Sequence, residues 1–161
     1  MTIAATINLL QAINATVTGI TAAPLLASYP TGEIPDASLP IALTWPGPGS
    51  WQGDGVNYEH DRFYDILVYV QRQEIDEAFL TAKTTMIGLL QNFGFTYLDE
   101  GNYAVTDSRF ILACGPPVVR VRAATPFTDE SDSDEFLIGY AGIIYHGFRF
   151  RLQVREEGQI V

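Results

Sequence analysis

Hydrophobic and polar positions alternate strictly along residues 148–155. Phe148, Phe150, Leu152 and Val154 fall on one side, and Arg149, Arg151, Gln153 and Arg155 fall on the other. A period of two is that of a strand with one buried and one polar face. A slip of one residue would bury three guanidinium groups, so the register is firmly set. The rest of the chain is read as supplying this strand with neighbours on its edges and helices on its apolar face.

Helical spacing occurs twice. Ile3, Ile7, Leu10, Ile13 and Val17 make one apolar stripe that predicts a helix over residues 3–18, with Thr2 as N-cap and Gly19 as its stop. Its polar face, Thr6, Asn8, Gln11 and Asn14, carries no charge, which suits packing against another subunit or a poorly optimised surface. The second helix is predicted from Glu74 to Phe93, with Asp76 and Glu77 in the first turn, where the helix dipole favours negative charge, and Gly94 after its end.

Between the helices, residues 20–60 read as a loop-rich region holding six of the nine prolines, with one short strand over residues 40–45. The Pro/Gly-rich run over residues 46–55 reads as a long turn or flap carrying Trp51, and a tryptophan there either meets a partner or folds back on its own core. Residues 57–72 form a long strand, apolar on both faces near its centre and therefore interior to the sheet. Residues 95–98 and 110–113 suggest short strands, with a turn signal at residues 99–102. Residues 118–125 suggest a better one. Residues 136–145 lead into the final strand as one long strand kinked at Gly147, and residues 156–161 read as a short mobile tail. The fold class that follows is α+β: a mostly antiparallel sheet with two main helices packed on one face, in a single domain over residues 1–161.

Length and composition agree with a globular chain: 161 residues, 47% hydrophobic and 17% charged. Charge adds an exclusion. A net charge of −10 makes the chain a poor general nucleic-acid binder, because phosphate contacts need Lys and Arg. The cations are unevenly spread, with Arg120, Arg122, Arg149, Arg151 and Arg155 all in the last 42 residues. Between them lies an acidic loop over residues 129–135, with Asp129, Glu130, Asp132, Asp134 and Glu135, read as a solvated loop or as a charged projection at a channel or interface. The single cysteine, Cys114, excludes an internal disulfide. No basic region precedes the first apolar residues, as a secretory signal would require, and no apolar run reaches the roughly 18 residues of a membrane span.

Little in the chain suggests catalysis. His60 sits between Glu59 and Asp61, but strand neighbours point to opposite faces, so the three do not converge on a metal. Cys114 has no histidine near it in sequence, and a nucleophilic role would need His146 beside it in space. No phosphate loop, nucleotide-binding glycine motif or zinc-protease motif occurs. No catalytic residue, metal or cofactor is expected.

The element order is helix, Pro-rich loop, strand, long strand, helix, then strands ending in the Phe/Arg alternation. Together with the passage Asp61-Arg62-Phe63-Tyr64-Asp65-Ile66-Leu67-Val68-Tyr69-Val70 before the second helix, it resembles the tail terminator (tail completion) proteins of tailed bacteriophages. The resemblance lies in element order and texture and covers most of the chain. It implies a structural virion protein, not an enzyme, assembled in the host cytoplasm. Such a subunit forms a ring, typically a homohexamer, that caps the tail tube and then joins the head–tail connector or neck protein, with DNA passing through the lumen without specific binding and no membrane involved. On that reading Trp51, Arg149, Arg151 and Arg155 are candidate interface residues, and the acidic loop faces the lumen or a partner. The alternatives are another neck or head–tail connector protein, a small α+β binding module that uses the Trp51 loop, or a small enzyme built around His60 and Cys114.

Overall fold

The final strand is longer than the alternation that announces it. In the computed structural model, which describes residues 2–53, 57–71, 75–93, 95–99, 102–105, 111–113, 118–125 and 137–159, it runs over Ile143–Gln159 (β8) and occupies the middle of the sheet. The other elements are α1 (Ile3–Asn14), β1 (Ile41–Gly53), β2 (Asn57–Val70), α2 (Ile75–Asn92), β3 (Phe95–Asp99), β4 (Asn102–Val105), β5 (Ile111–Ala113), β6 (Val118–Thr125) and β7 (Leu137–Tyr140). The main sheet has the order β1-β2-β8-β6-β5, with β7 paired to β8 beside β6, and every strand pair in it is antiparallel. β3 and β4 form a separate hairpin. The α+β architecture with two helices and a mostly antiparallel sheet is thus the one the hydrophobic pattern predicts.

Both helices lie on the face that carries the even-numbered residues of β2 and β8. Ile7 and Leu10 of α1 and Met86, Leu89 and Leu90 of α2 bury against Tyr64, Ile66, Val68, Phe148, Leu152 and Val154. Each fully buried side chain of this size contributes about 1.5–3 kcal/mol. Val17 closes the junction of the two helices. A Cβ on Gly88 would stand 3.1 Å from its Cγ1, so a larger residue there would require Val17 to give by a few tenths of an ångström. The opposite face is divided. Its lower half is covered by the chain between α1 and β1, which packs Ile34 and Leu39 on Ile41, Leu43, Tyr69 and Tyr145. Its upper half carries the arginines of β8, and among the described residues no helix packs on it.

Several boundaries differ from the sequence pattern. α1 begins as expected, with Thr2 Oγ1 accepting from the Ala5 amide, but ends at Asn14 rather than at residue 18. Its uncharged polar face packs inside the chain: Thr6, Gln11 and Asn14 are buried. The Pro/Gly-rich run is not a flap up to residue 53. β1 continues through it with a bulge between Pro46 and Gly49. Proline is tolerated because β1 is an edge strand, where a missing N–H costs no ladder bond. The bulge is held by Arg62 Nη1, which donates to the Gly47 carbonyl at 2.7 Å.

Residues 136–145 are not a continuous lead into β8. From Leu137 the chain makes a hairpin, with Ala141 and Gly142 both at positive φ (52° and 79°), the signature of a two-residue primed turn. The expected tail is also partly strand, since β8 stays paired to β2 as far as Gln159. β4 falls between the two strands expected at residues 95–98 and 110–113, and it takes the partner role through Tyr97 opposite Tyr103. β2 ends at Val70 and is interior, between β1 and β8, as its two apolar faces require. Gly94 lies outside the described residues.

Candidate functional site

The other half of the second face is built from the odd-numbered residues of β2 and β8. Their register places Asp61 directly opposite Arg155, Phe63 opposite Gln153, Asp65 opposite Arg151 and Leu67 opposite Arg149. Directly opposed side chains in an antiparallel pair are within reach of one another, and two of these rows become forked ion pairs. Arg151 Nε and Nη2 donate to the two carboxylate oxygens of Asp65 at 2.8 and 3.2 Å. Arg155 donates in the same way to Asp61 at 2.9 and 3.0 Å. The Asp61–Arg155 pair is the more enclosed, with side chains 18% and 23% exposed, against 23% and 40% for Asp65–Arg151. The hydrogen bonds from Arg151 to Asp65, and then the carboxylate's charge, raise the guanidinium pKa further above its ordinary value. Arg151 also lies over the Phe63 ring, 5.5 Å from its centroid, a distance at which the ring quadrupole attracts the cation.

Two described residues beside these pairs are open to solvent. Arg149 is exposed. Trp45, opposite Asp65 on the β1 side, is 37% exposed and meets Tyr29 edge-on at 5.2 Å. On the β6 side, Arg120 and Arg122 stand in register opposite Arg155 and Gln153. The face therefore gathers arginine with aromatic rings, the residue types over-represented in protein interfaces.

Below this half lies a group of tyrosines that pins the covering segment. The Tyr29 hydroxyl donates to the Thr44 carbonyl at 2.8 Å and accepts from the Thr44 amide at 2.9 Å, satisfying both outward backbone groups of the edge strand at that residue. Tyr140 donates to the Pro30 carbonyl, Tyr69 donates to the Gly139 carbonyl, and Tyr145 accepts from the Ile34 amide. Burial first of all pushes the Tyr29 and Tyr69 hydroxyls up to about 12.

On the first face, Gln11 of α1 uses its whole amide. Nε2 donates to the carbonyls of Pro24 and Ala42, both at 2.8 Å, and Oε1 accepts from Asn14 at 2.9 Å and from Thr44 at 2.7 Å. Asn8 Oδ1 accepts from the Leu26 amide. The polar face that resembled a subunit interface instead ties α1 to β1 and to the loop between them.

Of the expected site residues, Arg149, Arg151 and Arg155 stand on one sheet face, and the last two are paired within the chain. Trp51 stands in β1 opposite His60, and its side chain lies outside the described residues. Asp129, Glu130, Asp132, Asp134, Glu135 and Cys114 lie outside the described residues as well. Asp61, Asp65 and Trp45 belong to the face and were not singled out from the sequence. The available signal for the aspartates was their four-residue spacing on a strand predicted to be interior, matching that of Arg151 and Arg155. His60 is on the helix face, beside Gly49, where an added Cβ would stand 2.9 Å from its Nε2. Among the described residues no group of three or more His, Cys, Asp and Glu could hold a metal, and no helix is long and apolar enough to cross a membrane. No protein-family model matches the chain, and no curated protein or solved structure matches it.

Proposed function

We propose that this chain is a tail terminator subunit of a tailed bacteriophage: a structural virion protein that closes into a ring on the end of the tail tube and joins it to the head–tail connector. The observation that carries the reading is the scaffold itself. The resemblance describes a helix, a Pro-rich segment, two long strands, a second helix and a closing Phe/Arg strand. The chain folds in that order, with the closing strand at the centre and both helices on its apolar face. A closed ring needs a heterologous contact, in which one patch of a subunit meets a different patch of the next. The sheet has one face that carries the helices and one that carries arginines and aromatic rings, which supports two chemically distinct surfaces.

The test is solution mass by light scattering across a dilution series, alone and with purified tail tubes. A closed oligomer near six subunits, or assembly of such a ring on the tube ends, is the expected result. A chain that stays monomeric at every concentration and does not join the tubes overturns the proposal.

A further inference from the structure

We draw no further inference here: the strongest candidate, the pair of exposed aliphatic side chains Leu137 and Ile144 that the register places on one face of the β7–β8 hairpin, is an apolar surface patch, and nothing in the structure shows what covers it.

Discussion

Replacing Gln11 tests whether the polar seam between α1 and β1 holds the fold together. The side chain is fully buried, and its amide makes four hydrogen bonds that reach three separate parts of the chain. Two donors and two acceptors are the full capacity of a glutamine amide. Gln11→Leu keeps the approximate shape and removes all four bonds. Thr44 can rotate its hydroxyl, and Asn14 retains a 3.3 Å bond to Thr44, so these two recover part of their loss. The carbonyls of Pro24 and Ala42 lose the Gln11 donor, and an unsatisfied buried group costs about 1–3 kcal/mol. Two such carbonyls, less the roughly 1 kcal/mol regained from added apolar burial, give an expected destabilisation of about 3 kcal/mol. For a chain of this length that corresponds to a fall in Tm of roughly 6–12 °C.

The assay is urea denaturation followed by circular dichroism and tryptophan fluorescence, with the slope checked for constancy. Gln11→Glu sharpens the test. The introduced carboxylate can accept from Asn14 and Thr44 but faces two carbonyl oxygens with no proton to donate. Burial beside them raises its folded pKa above the unfolded value of about 4.3. A group raised in the folded state contributes fully below the unfolded pKa, and that contribution is lost as pH rises through the folded pKa. The stability difference between wild type and Gln11→Glu should therefore widen from about pH 4 upward. A loss under about 0.5 kcal/mol in Gln11→Leu, or a pH-independent difference for Gln11→Glu, would refute the reasoning.

Three further outcomes are expected. Double-mutant cycles on Asp65/Arg151 and Asp61/Arg155, read by urea midpoint, should give a coupling of about 0.5–1 kcal/mol, with the more enclosed Asp61/Arg155 pair the stronger of the two; equal or reversed couplings would contradict the burial ranking. Gly147→Ala should destabilise by about 1–3 kcal/mol or more in calorimetry, because a Cβ there would lie 2.2 Å from the Val68 carbonyl oxygen, a backbone atom that cannot yield cheaply. In alkaline titration followed by ultraviolet absorbance, Tyr29 and Tyr69 should ionise near pH 12 while the chain is folded. Their contribution is complete below the unfolded value of about 10 and is lost as pH rises toward 12, so Tyr29→Phe should reduce the steepness of alkaline unfolding.

What the sequence by itself determined is whatever local periodicity encodes. The alternation at residues 148–155 set the register of β8, and the two apolar faces of residues 57–70 marked β2 as interior. The spacing of Ile7 and Leu10 identified the face of α1 that meets those strands. Each signal is a property of neighbouring residues, so no partner needs to be known to read it. The primed turn at Ala141-Gly142 was illegible because it lacks the Asn-Gly or Asp-Gly pair that announces such turns. β1 was cut short at residue 45 because prolines read as breakers, and only its place at the sheet edge makes a missing N–H harmless.

Tertiary structure alone decided the partners. Asp65 meets Arg151 and Asp61 meets Arg155 only because an antiparallel pair brings together positions 86 and 94 residues apart. Gln11 is buried rather than displayed because the carbonyls of Pro24 and Ala42 converge on it from elsewhere in the chain. Polarity shows that a group needs hydrogen-bond partners; whether water or the chain itself provides them depends on what the fold brings alongside.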